Sequence, residues 1–325
     1  MTSSTAPAPT LDAPPPGPTP PENPRRRAPR SQTAWIWVFL LPTVVLYGMY
    51  TLWPIAASYW YSLEEWNGFT SEGRFVGLSN YRAVIADPGF WSSLRITLVF
   101  MLVVAPARVL LSLVLAIVLN SPRLPLRGLF RTVYFLPVVT TTAIVGVVMQ
   151  FIFDPGAGPV NSALRFFGVS EGIDFLGSSD TALYTAAGIY TWKFFGITMI
   201  YWLAALQTIP EEVSEAAKID GANALQNLRH ITLPMLFPFL LIISVLTVED
   251  CFRAFDLMQT MTGGGPFFST EVIEIYIYRY AFAATVPQLG FASAAAVLFG
   301  LVVLVVAALQ AWGLVVGRRK RAALR

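Results

Sequence analysis

The chain has few of the residues from which a catalytic or metal centre is built. Its 325 residues include one cysteine, Cys251, and one histidine, His230. A disulfide within the chain is therefore excluded, and so is a metal site with several Cys or His ligands. The sequence contains no G-x-x-x-x-G-K-[ST] motif, the loop that cradles the phosphates of ATP. We therefore expect no catalytic residue, no bound metal and no cofactor in this chain.

Charged residues are also scarce. Asp, Glu, Lys and Arg make up 13% of the chain, whereas hydrophobic residues make up 55%, and the mean hydropathy is +0.60. A soluble domain carries about 25% charged residues. Since several apolar runs are long enough to span a bilayer, the composition predicts an all-α membrane protein of the multi-pass class.

Six runs reach the length of about 20 apolar residues that a helix needs to cross about 30 Å of hydrocarbon. An open strand would leave backbone groups unpaired in lipid, so we expect a helix in each. The predicted spans are residues 34–53, 94–119, 131–153, 182–206, 236–260 and 291–317. They form one domain, residues 33–317, between a Pro-rich tail, 1–32, which we expect to be disordered, and a basic tail, 318–325.

Lys and Arg residues predict the orientation, because cytoplasmic segments carry an excess of them. With the N-terminus inside, 14 of the 22 Lys and Arg residues lie in cytoplasmic segments and five lie in outer segments. We therefore expect both termini in the cytoplasm. The segments 120–130 and 207–235 then face inward, and 54–93, 154–181 and 261–290 face outward.

The polar segment 207–234 is too short for a domain and too structured for a plain connector. Thr208 can cap a helix with Pro210 in its first turn, as in a capping box with Glu211. Gly221 can end that helix with a positive φ, and a second short helix would follow. The pattern predicts a helix-turn-helix that docks on another protein. The alternative is an interfacial helix resting on lipid headgroups, but such helices usually carry Trp, Phe and Leu on one face.

Within this segment, Glu215-Ala216-Ala217-x-x-Asp220-Gly221-Ala222 followed by I-T-L-P resembles the signature loop of permease subunits of ABC importers. Three further motifs are similar to the carbohydrate-uptake branch, the maltose and glycerol-phosphate type. They are F-V-G-L-S-N-Y at 75–81, F-R-T-V-Y-F-L-P at 130–137, and F-D at 255–256 followed by M-T-G-G-G-P at 261–266. Leu is common in the family where Met261 stands, which is a mild departure.

The resemblance implies the six-helix fold of type I importer permeases and a set of partners. It implies that Glu215, Ala216, Ala217, Asp220, Gly221 and Ala222 fit a cleft on an ATPase subunit. The partners it implies are a second homologous permease, two ATP-binding subunits that bind the ATP, and an extracellular substrate-binding (lipo)protein. We expect membrane lipid around the chain, no nucleic acid, and a sugar or sugar derivative as cargo. The expected location is the inner membrane of a bacterial cell.

Charges inside predicted spans are costly, so they need a function. Glu249, Arg253 and Asp256 are spaced by four and three residues, which predicts one helical face with Asp250 beside it. These charges are expected either to gate the pathway as a ladder or to line a wet cavity and bind sugar hydroxyls.

The fourth span carries Tyr190, Trp192, Lys193 and Phe194. Aromatic faces can bind sugars, and Lys193 can donate to hydroxyls. The alternative is an interfacial aromatic belt with a lysine that reaches the headgroups.

Two groups in the predicted outer loops are candidate contacts for a binding protein. They are Asn80 and Tyr81, and Gly263, Gly264, Gly265 and Pro266. The alternative for the first group is simple loop folding over the spans. A rival function for the whole chain is a secondary transporter driven by an ion gradient, although its two halves show no inverted repeat.

Overall fold

The computed structural model describes residues 30–70, 73–121, 124–169 and 172–322, with side chains described from Trp35 to Val315 within these ranges. The chain divides into two compact units, residues 1–54 and 55–325. The predicted Pro-rich tail lies outside the described residues up to position 29, and a helix already begins at Arg30. At the other end the last helix continues to Ala322, inside the predicted basic tail, whose last three residues lie outside the description.

The described part of the first unit contains helix α1 (Arg30–Tyr47), a π-helical turn (Gly48–Leu52) and the start of helix α2 (Trp53–Tyr61). Its large apolar side chains are exposed, as in Phe39 at 76%. An apolar helix with its side chains exposed suits lipid, because the bilayer then replaces the protein core as the apolar surroundings.

The second unit is almost wholly helical. A two-residue antiparallel pair, β1 (Glu64–Glu65) with β2 (Arg74–Phe75), is the small exception to the predicted all-α class. The helices are α3 (Ser79–Ala86), α4 (Pro88–Asn120), α5 (Arg127–Val139), α6 (Thr142–Ile152), α7 (Pro159–Phe166), α8 (Ala182–Leu206), α9 (Glu211–Ile219), α10 (Ala224–Asn227), α11 (Leu233–Cys251), α12 (Phe255–Met261), α13 (Ile273–Tyr278) and α14 (Leu289–Ala322). Single π-helical turns, Leu228–Thr232 and Arg279–Ala283, precede α11 and follow α13.

Within the described residues, five continuous helical stretches are long and apolar enough to cross a membrane, and a bent pair can form a sixth span. The continuous stretches are Trp35–Tyr61, Pro88–Asn120, Ala182–Leu206, Ala224–Cys251 and Leu289–Val315. The third predicted span, 131–153, is not one helix, because α5 and α6 meet at an angle of 98°. The fifth, 236–260, is also interrupted: its helix ends at Cys251, and α12 begins at Phe255.

The core of the second unit forms where α4 crosses α8. Trp202 is 1% exposed and donates its indole N–H to the Val109 carbonyl at 3.1 Å. Phe100 and Tyr190 stack edge to face, with ring centroids 5.2 Å apart. These contacts fix α8 against α4 along its length, so that α8 is the helix on which the polar groups described below are placed.

The start of α4 is tied to the segment before the last helix. Asp87 accepts the Gly89 backbone N–H at 2.8 Å as an N-cap, with Pro88 at the first helical position. The same carboxylate accepts the Tyr276 hydroxyl at 2.5 Å. Partial burial alone would raise the pKa of Asp87, but the Tyr276 and Gly89 hydrogen bonds outweigh burial and hold that pKa below its ordinary value.

Asn80 ties α3 to β1, and β1 in turn packs closely against the last helix. Its amide donates to the Ser62 carbonyl at 3.0 Å and to the Glu64 carbonyl at 2.8 Å. Gly290 lies directly beneath, since a Cβ there would stand 1.9 Å from the Glu64 carbonyl oxygen. Tyr81 shares a 2.6 Å hydrogen bond with the Ser62 hydroxyl.

Candidate functional site

The segment between α8 and α11 forms a helix-turn-helix, which we call the elbow, residues 211–227. Helix α9 ends at Ile219, and Gly221 follows with φ +83°. The Ala222 N–H then bonds the Ala217 carbonyl at 2.9 Å, which closes the turn. The left-handed φ explains the glycine, because an L side chain there is strained.

The ends of the elbow differ from the sequence prediction. Thr208 does not cap α9: its hydroxyl donates to the Ala205 carbonyl at 2.8 Å, and the N-cap position is Pro210. The capping box lies instead at the second helix. There Asn223 accepts the Gln226 N–H, and the Gln226 side chain accepts the Asn223 N–H, both at 2.9 Å.

The predicted docking residues divide between the two sides of the elbow. Ala217 is buried against the rest of the fold, and Ala222 is half-buried. Glu215, Ala216, Asp220 and Gly221 are exposed, and a Cβ on Gly221 would meet nothing within 4 Å. The elbow therefore presents an open surface at its turn.

Two apolar side chains at this turn were missed by the sequence reasoning. Ile219 is 85% exposed and Leu225 is 71% exposed, one on each side of Gly221. Both side chains are open to contact with another protein. The signal was present in the sequence, because Ile219 interrupts a run of small and charged residues.

A cleft of about 570 Å³ lies between the elbow and α5. Arg127 and Arg131 line it from α5, and Glu211, Glu215 and Lys218 line it from α9. The Arg131 guanidinium also donates to the Leu119 carbonyl at 3.0 Å. The base of the elbow thus faces the first turns of α5 across a charged gap.

A buried polar cluster joins α4, α8 and α11; the sequence analysis named its members Tyr190 and Asp250 but not Arg108 or Thr198. Arg108 of α4 is fully buried and donates to Thr198 Oγ1 and to Asp250 Oδ2, both at 2.8 Å. The Tyr190 hydroxyl donates to the Asp250 backbone carbonyl at 2.7 Å. The Asp250 side chain is 48% exposed, so the pair joins the buried interior to an open surface.

The charges after Asp250 are arranged differently from the predicted ladder. Arg253 pairs with Glu249 at 2.7 Å, and both side chains are more than half exposed. Asp256 does not continue this face, because the helix ends at Cys251 and Asp256 lies in the first turn of α12. The continuous stripe of three charges was therefore a wrong prediction, while the Glu249–Arg253 contact follows the four-residue spacing.

The aromatic and lysine group on α8 is also engaged within the fold. Lys193 is fully buried, and its ammonium donates to the Thr140 carbonyl at 2.7 Å and the Pro137 carbonyl at 3.1 Å. It lies 4.9 Å from the centre of the Phe194 ring. Tyr190 is buried as well, and Trp192 is 44% exposed. Backbone carbonyls accept two of the three protons of the Lys193 ammonium, so this side chain is anchored at the junction of α5 and α6, and its contact with sugar hydroxyls stays a prediction.

The two loop groups predicted as binding-protein contacts differ in how far they are bonded within the fold. The polar atoms of Asn80 and Tyr81 bond within the fold, which corresponds to the structural alternative. Gly263 and Gly264 have φ of +58° and +88°, and Gly265 and Pro266 line an open pocket of about 380 Å³. Nothing in the geometry assigns that pocket an occupant.

Glu274 lies near the break between α11 and α12. Its carboxylate accepts the Phe255 N–H at 2.8 Å. Burial, opposed by that hydrogen bond, raises the pKa of Glu274 to about 7. Within the described residues, no three His, Cys, Asp or Glu side chains lie together as metal ligands do.

The family of binding-protein-dependent transport system inner membrane components matches residues 108–313. This stretch runs from Arg108 through the elbow and into α14. The matched region therefore contains the buried polar cluster, Lys193 and the elbow.

Known proteins similar over most of the chain are transport permeases. A probable ABC transporter permease protein of Pyrococcus horikoshii is 34% identical over 265 residues, which cover 80% of this chain and 88% of that protein. The multiple sugar-binding transport system permease protein of Streptococcus mutans is 31% identical, over 85% of this chain and 93% of its own length. The sn-glycerol-3-phosphate transport system permease protein of Yersinia pestis is 33% identical, over 77% and 84%.

A solved structure shares the fold. One chain of a bacterial alginate ABC transporter, in complex with an alginate pentasaccharide-bound periplasmic protein, superposes with a TM-score of 0.74. The match covers 86% of this chain and 93% of that chain at 22% identity. At this identity the comparison concerns architecture alone.

Proposed function

The chain belongs to the family of binding-protein-dependent transport system inner membrane components, and we propose that it forms half of an import pathway whose energy enters through the elbow. It is a multi-pass permease of an ABC importer with the type I fold. The chain carries no phosphate-binding loop of its own, so in this proposal ATP is bound and hydrolysed by two partner subunits. A second, homologous permease completes the pathway.

The single observation that carries the docking role is the open turn of the elbow. Exposed Ile219 and Leu225 flank Gly221 along the chain, and Glu215 and Asp220 of the same segment are also exposed. Aliphatic anchors inside a charged rim are the arrangement found at protein interfaces. The ATPase subunit is the partner proposed for this surface.

The distribution of Lys and Arg supports a cytoplasmic location for both termini and for the elbow. In this orientation the elbow lies on the side where ATP is available. The pocket between Asp154 and Pro266 then faces outward, where a substrate-loaded binding protein arrives. Nucleotide binding draws two docking loops together and changes the side to which the pathway opens.

The cargo is proposed to be a sugar or sugar derivative. This rests on the names of the similar permeases, which belong to multiple sugar-binding and glycerol-phosphate transport systems. Asp250 and Trp192 offer exposed hydrogen-bonding and aromatic surface within the spans for such a solute. Soluble phosphate esters remain within this class.

The docking role can be tested with a matched pair of glycine variants. Gly221 and Gly168 both have a positive φ, of +83° and +96°, and a Cβ on either meets nothing within 4 Å. Gly221→Trp is expected to abolish recovery of the ATPase subunit with the affinity-tagged chain from detergent-solubilised membranes. Gly168→Trp lies after α7 and is expected to leave that recovery unchanged. Equal recovery with both variants would show that the elbow is not the docking surface.

A further inference from the structure

Lys193 occupies an unusual place for a charged residue in a membrane span. It lies in the middle of α8, its side chain is fully buried, and both of its hydrogen bonds go to backbone carbonyls of the α5–α6 corner. A charge in this setting is costly unless its partners are specific. The contacts therefore indicate that the Lys193 ammonium stabilises the corner between α5 and α6.

The corner has carbonyl groups that need such a donor. Helix α5 ends at Val139, so its last carbonyls lack the amide partners that a continuing helix would supply. The Thr140 hydroxyl bonds the Pro137 carbonyl at 2.6 Å, and Lys193 adds a second donor to that oxygen. A cation is also favoured at the negative end of a helix dipole. Lys193 thus caps the end of α5 from a neighbouring helix.

One turn along α8, Gly196 brings α5 into direct backbone contact. A Cβ on Gly196 would lie 2.3 Å from the Tyr134 carbonyl oxygen and 3.1 Å from Phe135 Cα. Gly188, on the same helix, has nothing within 4 Å of its Cβ position. The close approach at Gly196 keeps the Lys193 ammonium within reach of the corner.

The two helices that meet at the corner, the two arms α5 and α6, lie against different parts of the second unit. The first turns of α5 line the charged cleft opposite the elbow. On the other arm, the Gln150 amide of α6 donates to the Thr260 carbonyl at 3.0 Å and the Met261 carbonyl at 2.8 Å in α12. A Cβ on Gly146 would also be 2.0 Å from Thr260 Oγ1, so α6 and α12 are in close contact.

We propose that Lys193 is a positioning residue that fixes the angle between α5 and α6, so that a displacement of α5 at the elbow moves α6 and α12. Without the ammonium, the corner between Pro137 and Thr140 absorbs the displacement. The inference rests on the proposed docking of the ATPase at the elbow. Its physical basis is the series of contacts from the end of α5 through the corner to α6 and α12, and a coupling measurement tests it.

The test uses the importer purified with its partner subunits, in which Cys251 is replaced by Ser and spin labels are placed at exposed Ile144 of α6 and Leu301 of α14. Pulsed electron paramagnetic resonance measures the distance between the labels with and without trapping by ATP and vanadate. In the unaltered chain, trapping is expected to shift this distance. In Lys193→Met the shift is expected to be lost, while ATP hydrolysis continues.

The conservative variant separates positioning from a general structural role. Lys193→Arg keeps a cation with several donors and is expected to restore the shift at least in part. A label pair at Leu129 of α5 and Ile144 reports the corner itself. Its distance distribution is expected to be narrow in the unaltered chain and broad in Lys193→Met.

A second pair of variants decides the matter if Lys193→Met fails to assemble. Gly196→Ala must push α5 away from α8 and is expected to reduce the nucleotide-dependent shift, whereas Gly188→Ala has room and is expected to retain it. A full shift in either Lys193→Met or Gly196→Ala overturns the inference. Failure of the proposed function would be seen differently: the unaltered chain would not recover the ATPase subunit, or the unaltered complex would not hydrolyse ATP.

Discussion

The affinity of the elbow for the proposed ATPase partner should depend strongly on Ile219. Replacing Ile219 with Ala removes three carbon atoms, each worth about 0.8 kcal/mol when it is transferred from water to a buried site. Because 85% of the residue is exposed in the free chain, nearly all of this surface is available for burial on docking. The loss is therefore about 2 kcal/mol, which weakens binding about thirtyfold.

This value can be measured by titrating the purified ATPase subunit against the chain in nanodiscs, with fluorescence anisotropy or surface plasmon resonance as the readout. Ile144→Ala is the matched control, because it is the same replacement at a residue that is 62% exposed within a spanning helix. The control is expected to leave the dissociation constant unchanged. If Ile219→Ala changes the dissociation constant by less than about twofold, instead of about thirtyfold, the Ile219 side chain is not buried on docking and the reasoning fails.

Three further predictions concern stability, each measured as the melting temperature of the purified protein in detergent. Asp250→Ala leaves the buried Arg108 guanidinium without its carboxylate and should lower the free energy of unfolding by about 3 kcal/mol. Glu249→Ala removes one member of an exposed pair and should lower it by less than about 1 kcal/mol. Equal losses would contradict the burial argument. Because the pKa of Glu274 is raised, the folded chain keeps a proton that the unfolded chain releases near pH 4.5. The contribution of Glu274 to stability is therefore present below pH 4.5 and is lost as the pH rises through about 7. Glu274→Gln should flatten that pH dependence, and an unchanged profile would exclude this carboxyl. Gly290→Ala should lower the melting temperature, because its Cβ would lie 1.9 Å from a backbone carbonyl oxygen, while Gly300→Ala on the same helix should not.

The sequence was sufficient for the parts of the fold that depend on local composition. Hydrophobic length identified the spanning regions, and the helix over 182–206 has the bounds that were expected. The positive φ of Gly221 followed from the need to turn a helix in a polar segment. The family resemblance also held, since it rested on several motifs in order.

The remaining features depend on contacts between distant residues. The break between Cys251 and Phe255 contains no proline or glycine from which it could be predicted. The carboxylate that caps the new helix belongs to Glu274, 19 residues after Phe255. The partner of Asp250 is Arg108, which is 142 residues away, so the spacing of charges within one segment could not identify it. Periodicity describes one helix at a time and does not report which helices touch.

The same limit explains the interpretation of Lys193. A lysine among aromatic residues suggested a solute site, because composition alone does not show that a helix ends nearby. The carbonyls of Pro137 and Thr140 lie more than 50 residues before Lys193, and the 98° corner that exposes them is a feature of tertiary structure. A buried charge in a span is informative about function only when its partners are known.

The reciprocal hydrogen bonds of Asn223 and Gln226 have a consequence for the kinetics of assembly. The second limb of the elbow closes its own first turn, so its shape is set before any partner arrives. An element that is already ordered loses little conformational freedom when it is captured, and encounters then succeed more often. In the proposed docking, this limb of the elbow therefore meets the ATPase subunit without refolding.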